Sequence, residues 1–224
     1  MNRYLGPLVL GLAGAAMLLA LGFWQVDRLG WKRAVLAEID ARIGEQPQPL
    51  PQMPRPDRDR YLPVHLEGRG EPRELHVLVG HKRLGAGFRV VTGFEDISGR
   101  RVLVDLGFIV DEDKDLRRGP LRGALAGNLH WPDDRNKSTP ANDIGGNIWF
   151  ARDLDAMAAE LGTEPVLVVL REAAGLDAAI TPMPLDSSVI PNDHLQYAIT
   201  WFSLALVWLG MTGYWLWRIR RRND

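Results

Sequence analysis

Two long blocks without a charged residue stand at the two ends of this chain of 224 residues. No Asp, Glu, Lys or Arg occurs from 5 to 26 or from 195 to 217. A helix of about 20 apolar residues crosses a bilayer core about 30 Å thick, because each residue adds about 1.5 Å. Each block has that length. The sequence therefore predicts two transmembrane helices, over 5–26 and 195–217, and excludes a simple soluble protein.

A cleaved secretory signal is the alternative interpretation of the first block, since Arg3 precedes an apolar stretch. The apolar run is longer than the 7–15 residues of a usual signal core. Leu18 is also poorly suited to a cleavage site with small residues before Leu21. We therefore interpret the block as a retained anchor.

The flanking basic residues predict the orientation of the two spans. The second block is followed by four arginines in a basic tail over 218–224, whereas the first has cations on both sides, with Arg3 before it and Arg28 after it. Cytoplasmic segments next to spans are rich in Lys and Arg. The tail thus predicts two cytoplasmic termini and a periplasmic central domain. The short N-terminus lacks the character of a transit peptide, which favours a bacterial inner membrane.

The segment between the spans is acidic overall. From Asp27 to His194 it holds 22 Lys and Arg against 27 Asp and Glu. No basic domain is present to neutralise phosphates, which argues against a nucleic-acid partner. The chain has no cysteine, which excludes disulfides, thiolate metal sites and a cysteine nucleophile.

The central region divides into three segments. Apolar residues recur at helical spacing over 27–43, which predicts an extension of the first helix beyond the membrane. Six prolines over 44–63 predict a stiff, extended linker. The region 61–185 then predicts an extracytoplasmic β-rich domain. Its predicted strands have the sequences YLPVHLEGR, ELHVLVG, FRVVTGF, RRVLVDLGFIV, GALAGNLHW, NIWFAR and PVLVVLRE.

The predicted fold class is thus a membrane α+β protein. Two terminal transmembrane helices flank a mainly antiparallel β domain, either a sheet or a small barrel, with one helix. That helix is LDAMAAEL, with Asp153 as its N-cap and Gly162 as its C-cap glycine.

No motif of a known catalytic site is present, and we expect no enzyme. The chain lacks GxSxG, HExxH, P-loop and dinucleotide-binding signatures. His76 and His81, with Gly80 between them, could share a metal ion. Lone histidines on strands, however, are usually surface or capping residues. The acidic run 111–115 lacks EF-hand spacing and is typical of a solvated turn.

The start of the second span carries the more informative histidine. After Pro191, Asp193 is suited to cap the helix and Gln196 stands where a capping box places its third residue. His194 then lies in the first turn, at the outer edge of the bilayer. Steps of seven place two rows of residues on one stripe of the helix: His194, Trp201, Trp208 and Trp215 in one, and Tyr197, Leu204 and Met211 in the other.

This stripe has two interpretations. It packs against the first helix, where Gly11 and Ala15 permit close approach, or it forms the wall of a porphyrin site with His194 as axial ligand of the iron. The positive end of a helix disfavours the imidazolium form, which cannot bind metal. The exposed amides there, with Arg28 or Lys32, would suit propionates.

The motifs at the two spans resemble those of the surfeit locus protein 1 family of cytochrome c oxidase assembly factors. LGFWQVDRLGWK over 21–32 and PNDHLQYAITWFSLA over 191–205 carry the resemblance. The segments YLPVHLEGRG, GAGFRVVTGF, RRVLVDLGFIV and NIWFARDLDAMAAELG follow in the family's order between them. The chain departs from the family's pattern at Asp193 and over 105–110.

The resemblance implies a role in the assembly of haem-copper terminal oxidases. It implies that the chain binds haem a and assists its insertion into the catalytic subunit, subunit I. The enzymes of haem a synthesis and the lipid bilayer are the further partners. Carried over by motif, the candidate cofactor-binding residues are His194 as iron ligand, Tyr197, Trp201, Trp24, Gln25 and Arg28.

Three alternative functions make different demands on the sequence. A cofactor-free membrane scaffold that stabilises an oxidase assembly intermediate is the main alternative. A haem-modifying enzyme needs more intramembrane ligands than one histidine. A copper chaperone is disfavoured because Cu(I) prefers Cys and Met, and the six methionines are dispersed.

Overall fold

The computed structural model describes residues 2–81 and 83–221. They form two compact units. The helical unit contains the chain up to Glu38 and from Ser187 onward, and the β-rich unit contains Ile39–Asp186. In chain order the elements are α1 Asn2–Ile43, β1 Gln48–Pro49, α2 Pro56–Asp59, β2 Pro63–His81, β3 Gly85–Asp96, β4 Arg101–Val110, β5 Arg122–His130, α3 Leu154–Leu161, β6 Glu164–Ala173 and α4 His194–Arg221.

Helices α1 and α4 are both long and apolar enough to cross a membrane. The 42 residues of α1 rise about 63 Å and the 28 residues of α4 about 42 Å. The residues 27–43 continue the first helix without a break at Gly30. Most large apolar side chains of the two helices are exposed in the structure, as expected of surfaces that face lipid.

Small residues allow α1 and α4 to pack closely. The Trp208 indole Nε1 donates a hydrogen bond to the Gly11 carbonyl oxygen at 2.9 Å. A Cβ at Gly14 would lie 2.5 Å from the same indole ring. Ala15 is buried as well. The predicted close approach at Gly11 and Ala15 is therefore confirmed, and Gly14 is a further residue of this contact.

The strands of the β-rich unit close into a five-stranded barrel. β2 is 19 residues long and its register shifts between Gly70 and Glu74, so one half pairs with β5 and the other mainly with β3. β3 pairs with β4, β4 with β6, and β6 with β5, which closes the circle. All barrel pairings are antiparallel except β4 with β6. The prediction of a mainly antiparallel sheet or small barrel with one helix is confirmed, and the strand pairings select the barrel.

Alternation along the strands separates two apolar clusters. The barrel interior holds one set of side chains, including Phe94, Val104 and Val168. The opposite face of β4 and β6 packs with Met157 of α3 and with Trp149. The Asp153 side chain accepts a hydrogen bond from the Ala156 amide, and Gly162 adopts a left-handed conformation at the other end of α3. Both predicted caps are therefore confirmed.

The structure differs from the sequence-based expectation in three places. The predicted strands YLPVHLEGR and ELHVLVG form the single strand β2, with a register shift between Gly70 and Glu74. The proline-rich segment 44–63, predicted to be an extended linker, is part of the β-rich unit, because β1 pairs with β2 and Leu62 is buried. Proline is compatible with an edge strand and with the first turn of α2. The segment NIWFAR is no regular strand: Trp149 forms an isolated bridge with Val77 and covers an edge of β2.

Candidate functional site

A hydrogen bond between the two apolar helices defines the candidate site. The Nδ1 atom of His194, the first residue of α4, lies 2.8 Å from Oε1 of Gln25 in α1. Gln25 is 8% exposed and His194 is half-buried. An amide oxygen only accepts hydrogen bonds, so Nδ1 must donate. In the neutral imidazole the lone pair then lies on Nε2.

This tautomer leaves Nε2 able to bind a metal. Histidines that ligate metals commonly donate the hydrogen of their second nitrogen to an acceptor, which fixes the ring and raises its basicity. Gln25 is suited to that role. Sequence reasoning placed Gln25 in the first motif but gave it no partner, since the two residues are 169 positions apart.

The other four predicted site residues are not joined to this pair by a hydrogen bond. Trp201 is half-buried and Tyr197 is 55% exposed on α4. Because they lie seven and three residues after His194, both share its side of the helix. Trp24 is 56% exposed, about 100° around α1 from Gln25. The guanidinium of Arg28 is exposed and lies 3.9 Å from the centre of the Trp31 ring.

The donor set suits a haem better than a bare metal ion. Among the described residues no group of three or more His, Asp or Glu could hold a metal ion. A haem would need only one protein ligand at this position, because the porphyrin nitrogens supply the other donors to the iron. Asn192 has a buried side-chain oxygen without a hydrogen-bond partner among the residues described. A buried acceptor of this kind favours a ligand or water that donates to it.

The two strand histidines do not form a metal site. His76 is buried, and its Nε2 atom lies 3.3 Å from both the Arg118 guanidinium and the Glu74 carboxylate. The cation beside it disfavours a metal ion. The Nδ1 atom of His81 instead accepts a hydrogen bond from the Leu84 amide at 3.2 Å. His81 therefore caps the β2–β3 turn.

Comparison with known proteins identifies the chain. The model of the SURF1 family matches residues 12–206. This chain belongs to the SURF1 family. It is 30% identical over 210 residues to Surfeit locus protein 1 of Rattus norvegicus, covering 82% of this chain and 67% of that protein. For the Homo sapiens protein of the same name the identity is 30% over 211 residues, with 83% and 69% covered.

A bacterial relative is similar over most of its length. The SURF1-like protein of Rickettsia felis is 29% identical over 206 residues, covering 85% of this chain and 88% of that protein. The barrel, most of α1 and the first part of α4 therefore fall within the residues 12–206 that the family model matches.

This SURF1-family chain also buries an ion pair network in its β-rich unit, where the sequence departs from the family's pattern. Asp105 of β4 is completely buried, and one carboxylate oxygen lies 2.6 Å from Nε of Arg89 and 3.6 Å from a guanidinium nitrogen of Arg152. Arg152 also donates to Asp134 at 2.7 Å. Although burial alone raises the pKa of Asp134, the bonds from Arg152 hold that pKa below its usual value. Sequence reasoning missed this network.

A second buried network surrounds His76. The Arg118 side chain is 2% exposed and donates to the Glu74 carboxylate at 2.7 Å. Burial alone raises the pKa of Glu74, but the hydrogen bonds from His76 and Arg118 lower it below the usual value. Asn147 donates to the Glu74 backbone carbonyl at 2.9 Å. These contacts tie the loop before Trp149 to β2 and account for His76 without a ligand.

His130 is held neutral by its surroundings. Burial lowers its pKa to about 4, and the charges of Arg152 and Arg60 act in the same direction. Its Nδ1 atom is buried without a hydrogen-bond partner among the described residues, and its ring stacks on Tyr61. We assign His130 to packing rather than to chemistry.

Proposed function

We propose that this chain assists the assembly of a haem-copper terminal oxidase by binding haem a at its helix pair and passing it to the catalytic subunit. The observation that carries the proposal is the bond between Gln25 and His194. It leaves the lone pair of Nε2 of His194 available to a metal at the start of an apolar helix. Membership of the SURF1 family supports the general part of this proposal, which is a role in oxidase assembly.

The residues around His194 have distinct tasks in this proposal. Haem a supplies an iron that accepts the lone pair of one imidazole nitrogen. Gln25 holds the imidazole ring in one tautomer, and Trp201 and Tyr197 offer aromatic surface on the same side of α4. Arg28 is exposed and carries a charge opposite to that of a propionate. A single protein ligand also favours release, because only one coordinate bond must break.

The charges that flank the spans support a proposed location and orientation. We propose an inner membrane of a bacterium, two spans, cytoplasmic termini and a periplasmic β-rich unit. The arginines that end α4 support this orientation by the positive-inside rule. The Rickettsia felis relative supports a bacterial setting. Reporter domains fused after Arg221 and within the exposed turn at Ser98 should be active on opposite sides of the membrane.

The partner in this proposal is the oxidase catalytic subunit, with the enzymes of haem a synthesis as donors. The β-rich unit offers the polar surface for docking. A pull-down from detergent extracts of cells that make haem a tests both haem binding and binding of the catalytic subunit. We expect pigment and the catalytic subunit to co-purify with the chain. A chain that captures neither the pigment nor the subunit would contradict the proposal.

A cofactor-free scaffold is the second candidate, and one observation favours it. Trp208 of the aromatic stripe is hydrogen-bonded to Gly11 and packs on Gly14. Part of the stripe therefore serves helix packing without a cofactor. A scaffold predicts that His194→Ala leaves oxidase assembly intact, whereas a haem carrier predicts that it reduces the haem a content of the oxidase. Measuring oxidase haem in cells that carry this variant separates the two.

A further inference from the structure

An apolar groove runs between α1 and α4 at the end away from His194. Its volume is about 510 Å³. Its wall includes Pro7, Leu10, Trp208, Met211, Trp215 and Arg218. The groove is thus aromatic and aliphatic along its length and has a guanidinium at its end.

Two polar groups of the groove wall are hydrogen-bonded within the helix pair. The Trp208 indole donates to the Gly11 carbonyl, and the Thr212 hydroxyl donates to the Trp208 carbonyl at 2.9 Å. Arg218 differs, since it has no hydrogen bond or ion pair with any residue in the described part of the chain. Arg221, one turn away, instead lies over the Trp217 ring at 4.3 Å.

The sequence around Arg218 offers no counter-ion from the helices. From Met1 to Val26 the chain has no Asp or Glu, and α4 has none along its whole length. A cation next to an apolar groove favours a ligand with an anionic head and an apolar tail. Ten residues from Trp208 to Arg218 rise about 15 Å, which is half of the bilayer's hydrocarbon core. That is the depth of the acyl chains of one leaflet.

We propose that this groove binds one anionic phospholipid, with an acyl chain beside Trp208 and Met211 and the headgroup phosphate on Arg218. Basic pockets between transmembrane helices recognise anionic headgroups in this way. The lipid holds the ends of α1 and α4 together where Gly210 leaves space. The proposal does not depend on haem binding, because no residue of the groove belongs to the His194 site.

The test is native mass spectrometry of the delipidated full chain, titrated with phosphatidylglycerol or with phosphatidylcholine that has the same acyl chains. We expect the chain to retain one phosphatidylglycerol at least tenfold more tightly than phosphatidylcholine. Arg218→Gln should abolish this preference. Arg221→Gln removes an equal charge from the same end of α4 and should retain it.

A pair of glycine variants tests the groove separately from the charge. A Cβ at Gly210 or at Gly213 would meet no atom within 4 Å, so a leucine at either position fits the helix pair. Gly210 lines the groove and Gly213 does not. We expect Gly210→Leu to lose the bound lipid and Gly213→Leu to keep it, with unchanged far-UV circular dichroism in both.

Three results would overturn the proposal. Equal binding of the two lipids by the unaltered chain would show that the groove does not recognise an anionic headgroup. Equal losses in Arg218→Gln and Arg221→Gln would assign the preference to the basic tail in general. Retention of the lipid in Gly210→Leu would place it outside the groove.

Discussion

Nδ1 of His194 and Oε1 of Gln25 form a hydrogen bond of 2.8 Å between residues 169 positions apart in the chain. This hydrogen bond fixes the side-chain arrangement of both residues. The buried side-chain oxygen of Gln25 gains a hydrogen-bond donor. The imidazole of His194 is held in the tautomer that has its lone pair on Nε2. The two sequence motifs that flank the spans therefore meet in a single interaction.

The Gln25 bond should control how tightly the histidine binds haem. Replacing Gln25 by Leu removes the acceptor and lets the imidazole change tautomer, so haem affinity should fall about 10–100-fold. Titration of the purified chain with haem, followed by its absorption spectrum, measures the change. Gln196→Leu alters an exposed glutamine of α4 and should leave the affinity as it is. Equal affinity in Gln25→Leu and the unaltered chain would remove Gln25 from the site.

Close packing of the helix pair should depend on Gly14. Because a Cβ there would lie 2.5 Å from the Trp208 indole, Gly14→Leu must push the helices apart or expel the tryptophan. Overpacking of this kind costs about 1–3 kcal/mol, and the melting temperature in detergent should fall. Gly6→Leu is the matched control, since a Cβ at Gly6 meets nothing within 4 Å. An unchanged melting temperature in Gly14→Leu would contradict the packing.

The buried carboxylate of Asp105 should be essential to the β-rich unit. Asp105→Asn leaves the guanidinium groups of Arg89 and Arg152 without their shared anion, and breaking a buried pair in this way costs about 3–5 kcal/mol. Urea denaturation followed by tryptophan fluorescence measures the free energy of unfolding. Asp155→Asn changes an exposed carboxylate and should cost little. A loss below about 1 kcal/mol in Asp105→Asn would contradict a buried ion pair.

His130 should make the β-rich unit less stable in acid. Its pKa is about 4 in the folded chain, against an ordinary value of 6.5, so the unfolded chain binds the additional proton between these values. The contribution of His130 to the free energy of unfolding is fully present above pH 6.5. It is lost as the pH falls toward about 4, and the loss is roughly 3 kcal/mol at most. The carboxylates Glu74 and Asp134, whose pKa values are lowered, lose their contribution at still lower pH.

Unfolding curves between pH 4 and pH 7 measure this dependence. His130→Gln should flatten it within that window, whereas His65→Gln, which changes an exposed histidine, should leave it unchanged. If the slope is the same in both variants, His130 is not the group that titrates.

The elements that local sequence determines were predictable. The charge-free blocks predicted both apolar helices, and Asp153 and Gly162 marked the ends of α3, because capping depends on residues within one turn. Prolines over 44–63 excluded a long helix, but they did not reveal β1, since that strand is made by pairing with β2.

Pairings between distant residues were not predictable from one sequence. His194 could be singled out by its place at the start of α4, but its partner Gln25 required the helix pair to form. Asp105 is polar and lies in a run that departs from the family's pattern, yet the fold buries it completely between two arginines. No local pattern distinguishes such a carboxylate from an exposed one.

The haem spectrum of His194→Gly tests the central claim most directly. The unaltered chain, His194→Gly and His65→Gly should be purified from cells that make haem a, each with and without added imidazole. We predict a haem spectrum in the unaltered chain and in His65→Gly, its loss in His194→Gly, and its recovery in that variant when imidazole replaces the missing side chain. Equal haem content and identical spectra in all three proteins would contradict the assignment of His194 as the iron ligand.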